Sequence, residues 1–91
     1  MGSLAPTSAP WWVRITIICR VPASWPKKRQ EAAMRGMEIP GKPDLDNVAK
    51  AVLDACNGVA WIDDRQVVRL VVEKGYGAEP RIEAYMHEVN D

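Results

Sequence analysis

KPDLDNVAKAVLDACNGVAWIDDRQVV, residues 42–68, carries the clearest helical pattern of the chain and the approach to a strand after it. Asp44 is a residue type suited to an N-cap, and Leu45, Val48, Val52 and Ala55 follow at intervals of three, four and three residues. That spacing lays one continuous apolar stripe along an α-helix. Asn57-Gly58 supplies the stop, since both residues tolerate the left-handed backbone that ends helices. Trp61 to Asp64 then reads as a loop, and QVVRLVVEK, residues 66–74, as a strand rich in β-branched residues.

Upstream, WVRITIICRV (residues 12–21) alternates with period two: Val13, Ile15, Ile17, Cys19 and Val21 share one face. Pro22 ends that strand. Ser24 is placed to cap a short basic helix from Lys27 to Met34, with Pro26 near its first turn. Gly36, Pro40, Gly41 and Pro43 punctuate the loop before the second helix. Downstream, Gly75 to Pro80 is turn material, and RIEAYMHEV (residues 81–89) alternates again with Ile82, Ala84 and Met86 on one face. The order strand, helix, helix, strand, strand predicts a small α+β domain, a mixed α/β layer fold with about three strands and two helices. Residues 1–10 (MGSLAPTSAP) are expected to form a disordered or vector-derived leader, and residues 11–91 one domain.

The chain has 91 residues, 47% of them hydrophobic and 26% charged, which excludes a disordered, collagen-like or disulfide-dense chain. A chain of this length buries only about 64% of its extended surface, so its core is thin. The apolar runs are too short to span a bilayer, and no secretory signal opens the sequence. Cys19 and Cys56 lie far apart with no C-x-x-C spacing, and the single His87 has no partner at metal-ligand spacing. This pattern predicts two buried thiols in a reducing cytoplasm and no zinc site. Net charge is zero, but residues 1–41 carry +4 and residues 42–91 carry −4. The balance argues against indiscriminate nucleic-acid binding and is compatible with an acidic site beside a basic surface.

The acidic half holds the residues with chemistry. Asp44 and Asp46 straddle the start of the helix, Lys50 stands four residues after Asp46, and Asp54 continues that face. Asp63 and Asp64 follow in the loop. Should the loop fold back along the helix, Asp44, Asp46 and one of the later pair converge. Clustered carboxylates raise one another's pKa unless a cation sits among them. Oxygen ligands without His or Cys suit Mg²⁺, with Mn²⁺ as a substitute, and that ion is equipped for phosphodiester hydrolysis. A nearby lysine stabilises charge developing on the phosphate. On spacing alone, the same residues read more simply as an N-cap, an Asp–Lys pair on a helix surface and a polar turn.

The string Lys42-Pro43-Asp44-Leu45-Asp46-Asn47, then Lys50, Leu53-Asp54-Ala55, Asn57-Gly58, Trp61-Ile62-Asp63-Asp64 and Gln66-Val67-Val68 resembles the signature of RusA-type Holliday-junction resolvases. Ser24 to Arg29 and Glu73 to Gly77 are similar to phage members of that family. The resemblance spans roughly residues 12 to 89. It implies a RusA-like fold and a homodimeric, Mg²⁺-dependent endodeoxyribonuclease that cuts four-way DNA junctions in recombination or repair. It further implies Asp44 and Asp46 as the motif aspartates, Lys50 as the catalytic lysine and Asp64 as the distal metal ligand, with Asp63 and Asp54 in support. The chain departs from the family pattern in one respect: the strand and basic segment that usually precede the strand at residues 12–21 are replaced by ten uninformative residues. A junction-binding homodimer with weak or no cleavage is the alternative this departure implies.

Arg14, Lys27, Lys28, Arg29 and Lys42 are the candidate contacts to DNA phosphates, because such contacts dominate affinity for DNA. Trp11, Trp12, Trp25 and Trp61 are expected to pack in the core or at an interface, in a chain without phenylalanine.

Overall fold

The computed structural model describes residues 6–89. Along the chain run β1 (Trp11–Arg20), α1 (Lys27–Met34), α2 (Leu45–Cys56), a 3₁₀ turn (Asp64–Gln66), β2 (Val67–Gly77) and β3 (Arg81–Glu88). The strands form one mixed sheet in the order β2-β1-β3, with β1 parallel to β2 and antiparallel to β3. A parallel pair needs a long crossover, and α1 and α2 lie within it. The expected α+β architecture of three strands and two helices is therefore the observed one.

β1 sits at the centre because it is the most apolar strand. Val13, Ile15 and Ile17 are buried, and with Ala49 of α2 and Trp61 they make the core. Register places Leu70 and Val72 of β2, and Met86 and Ala84 of β3, beside Val13 and Ile15 on this helix-facing side. The other side carries Trp12, Arg14 and Thr16 of β1 beside Arg69, Val71 and Glu73 of β2 and His87, Tyr85 and Glu83 of β3. Trp12 and Tyr85 are exposed there.

Several local expectations need correction. Ser24 does not cap α1: Pro26 is its N-cap, and no side chain bonds the first turn. The Gln30 amide instead donates to the carbonyls of Trp25 (2.7 Å) and Ala23 (3.3 Å), which fastens the preceding turn. Asp44 occupies the N-cap of α2 without a side-chain cap bond. Ala55 is exposed, and the buried stripe instead includes Ala49, Leu53 and Cys56 beside Leu45, Val48 and Val52. A 3.6-residue period carries position 55 off the face that position 52 shares with position 56. Gly75, Tyr76 and Gly77 are strand rather than turn, since β2 continues along Ile18, Cys19 and Arg20 of β1. Ladder pairing with the central strand outweighs the turn preference of the glycines. Val21 lies outside β1.

The stretch from Thr7 to Pro10, expected to stand apart as leader, is hydrogen-bonded to the body. Its backbone bonds Ala60 (Thr7 N–H to the Ala60 carbonyl, 3.3 Å) and Val89 (Val89 N–H to the Pro10 carbonyl, 2.8 Å). Residues 1–5 of that leader lie outside the described residues.

Candidate functional site

A cleft of about 490 Å³ opens between α2 and the edge strand β2. Leu45, Ala49 and Leu53 from the helix and Leu70 and Val72 from the strand make its apolar walls, and Asp46, Lys50, Asp54 and Asp64 supply its charge. The i, i+4, i+8 spacing sets Asp46, Lys50 and Asp54 in a row along α2. Asp64 arrives from the 3₁₀ turn. Asp46, Lys50 and Asp54 are exposed and Asp64 is half-buried.

The turn that presents Asp64 is fastened on both sides. Trp61 is wholly buried, its ring edge on Trp11 with centroids 5.5 Å apart. Its indole N–H donates to Asn57 Oδ1 at 2.8 Å, while the Gly58 N–H bonds the Trp61 carbonyl at 2.7 Å. Asp63 and Gln66 form a reciprocal capping box around the 3₁₀ turn. Asp63 Oδ1 accepts from the Arg65 N–H at 2.9 Å, and that bond holds the Asp63 carboxyl below the ordinary carboxylate range. Gln66 Oε1 accepts from the N–H groups of Ile62 and Asp63, both at 3.0 Å. Gln66 Nε2 donates to the carbonyls of Thr7 (2.6 Å) and Ala9 (2.8 Å). Gln66 thus ties the loop to the segment before β1. Its positioning role is legible in sequence only as the D-x-x-Q spacing of a capping box.

Of the expected catalytic set, Asp46, Lys50 and Asp64 share the cleft, joined by Asp54. Asp44 is exposed at the N-cap and does not line it. The donors are all carboxylates, which suits a hard divalent cation by chemistry. Among the described residues, however, no three His, Cys, Asp or Glu side chains stand close enough to hold one ion.

The expected phosphate contacts are scattered. Arg14 lies on the sheet face away from α2, paired to Glu73 at 2.9 Å. Arg29 donates two bonds to Glu38, at 2.8 and 3.0 Å, and stacks over Trp25 with its guanidinium carbon 3.6 Å from the ring centroid. That pairing lowers the Glu38 carboxyl below its ordinary range. Lys27 and Lys28 are exposed on α1, and Lys42 is exposed before α2.

The family model for Endodeoxyribonuclease RusA matches residues 1–86, a span that includes the stretch expected as leader. A Bacillus subtilis (strain 168) protein bearing the description "Uncharacterized protein YqaN" is 48% identical over 65 residues, covering 70% of this chain and 46% of the relative. The chain therefore aligns to about half the length of that relative. No solved structure matches. No helix among the described residues is long and apolar enough to cross a membrane. With the family model covering nearly its whole length, the chain belongs to the RusA endodeoxyribonuclease family.

Proposed function

We propose that this chain is a metal-dependent, structure-specific endodeoxyribonuclease that cuts four-way DNA junctions as a homodimer. One observation supports the reading above the others: Asp46, Lys50 and Asp64, separated in sequence, line a single cleft at a sheet edge. Asp46 and Asp64 are the cleft carboxylates that would hold Mg²⁺, or Mn²⁺ in its place; Asp44, at the helix N-cap outside the cleft, does not stand with them as a third ligand. Such an ion, when bound, would supply polarisation of the phosphoryl group and a water of lowered pKa. Lys50 sets a positive charge between Asp46 and Asp54, where it stabilises the negative charge that grows on the phosphate oxygens. Leu70 and Val72 give the cleft an apolar wall beside that charge.

Two cuts need two sites, and one chain has one. A two-fold dimer is the simplest supply. The open sheet face with exposed Trp12 and Tyr85 is the surface we assign to the second copy. Cys19 and Cys56 are both free, in keeping with a cytoplasmic protein.

A second reading, junction binding with little cleavage, draws on the position of Asp44 outside the cleft. Incubation with a synthetic four-way junction, with and without Mg²⁺, separates the two. Paired nicks that require Mg²⁺ are expected. A mobility shift without nicks would select the second reading, and neither nicks nor a shift would sink both.

A further inference from the structure

The acidic cleft cannot be what attracts DNA. It holds three carboxylates against one lysine, the whole chain has no net charge, and two of the expected phosphate contacts, Arg14 and Arg29, are engaged by Glu73 and Glu38. Affinity for a polyanion then requires a local cationic surface.

A second groove, of about 570 Å³, lies where the C-terminal end of β1 meets α1. Arg20, Lys27 and Arg35 line it, against one carboxylate, Glu31, and all four are exposed. The ion pairs among the described residues involve Arg14, Arg29, Arg65 and Arg81, so none of the three groove cations is neutralised by one. Their supports are regular elements. Arg20 ends β1 and pairs in register with Gly77, while Lys27 and Arg35 stand at the two ends of α1. The opposite side of α1 is anchored by Arg29, stacked on Trp25, which in turn meets Tyr76 of β2 edge-on at 5.6 Å.

β2 joins the two sites. Val72 is in the acidic cleft and Gly77 in the basic groove, and five strand residues span roughly 17 Å. That distance corresponds to about five steps of 3.4 Å along a duplex. We infer that the Arg20–Lys27–Arg35 groove grips the phosphate backbone of a duplex arm about five base pairs from the phosphate at the acidic cleft. The inference rests on the proposed junction-cutting function and extends it to an arm-length requirement.

The test compares the full chain with the R20Q/R35Q double variant, without divalent metal, by fluorescence anisotropy. Four-way junctions with arms of about 12 base pairs and of about 3 base pairs are titrated between about 50 and 200 mM salt; each lost phosphate contact lowers the slope of log K against log salt by about 0.9. With long arms the variant is expected to lose about two from that slope, so its deficit against wild type changes about twelvefold across the range. With short arms the slopes are expected to coincide. Circular dichroism melts of the two chains should overlay, since both arginines are exposed. Equal slopes on long arms, or an equal drop on short arms, overturns the groove assignment. Should wild type cut junctions in Mg²⁺ while the slopes stay equal, only the groove falls. Should wild type bind no junction at all, the proposed function falls with it.

Discussion

The indole N–H of Trp61 donates a 2.8 Å hydrogen bond to the side-chain carbonyl of Asn57, and Trp61 is the largest wholly buried side chain of the described residues. The bond satisfies a donor that has no water to turn to, and it fixes the turn leading to Asp63 and Asp64. Asn57→Ala leaves the indole N–H unpaired, a loss of about 1–3 kcal/mol. Urea unfolding is expected to show the drop, and DNA cleavage to fall with the loosening of the Asp64 turn. A variant as stable as the parent would mean that the bond contributes nothing.

Gly77 has a different constraint. A Cβ there would stand 2.5 Å from Cγ2 of Ile18. Gly77→Ala is expected to destabilise the β1–β2 ladder by about 1–3 kcal/mol, the usual penalty for overpacking. Ile18→Ala in the same chain should recover part of that loss, because the clashing methyl is gone. A thermal-melt double-mutant cycle measures the coupling, and strictly additive losses would count against the contact.

Asp63 predicts the acid response of the loop. Its folded-state carboxyl lies below the ordinary range because the Arg65 N–H bonds its charged form. The stabilisation is therefore complete above the unfolded value of about 3.9 and is lost as pH falls through the lower folded value. Amide exchange at Arg65 should rise over that acid window, relative to amides elsewhere in the turn. Asp63→Ala should abolish the rise.

For the cleft, Asp46→Asn and Asp64→Asn are each expected to lower junction cleavage about a hundredfold or more while binding holds or improves, since a charge that repels DNA phosphates is also removed. Asp44→Asn should lose less than Asp46→Asn, given its place outside the cleft. Lys50→Ala is expected to reduce turnover more than affinity. Single-turnover rates and equilibrium binding on one junction separate the effects, and parental cleavage by Asp64→Asn would remove it from the site.

Assembly is checked by light scattering without DNA. A mass of about 20 kDa, twice the 10.1 kDa chain, is expected. Trp12→Ala should shift it toward the monomer if the open sheet face is the interface.

The alternation of Val13, Ile15 and Ile17 and the stripe from Leu45 to Val52 were enough to announce a central strand and a helix over it, because period-two and period-3.6 burial are local properties of the chain. The Asp44 to Gln66 motif likewise marks the acidic region. Strand order was beyond that reading. β2 and β3 are neighbours in sequence, yet each pairs with β1 instead, as the most apolar strand takes the centre. The same tertiary pairing kept Gly75 to Gly77 in the sheet and drew Thr7 to Pro10 onto the body. It also decided which acids meet: Asp46, Asp54 and Asp64 reach one cleft because α2 packs beside the edge strand β2, while Asp44 stays at the helix end. Side-chain periodicity is written residue by residue, but the company a charge keeps depends on which elements pack together, and that follows from burial summed over the whole chain.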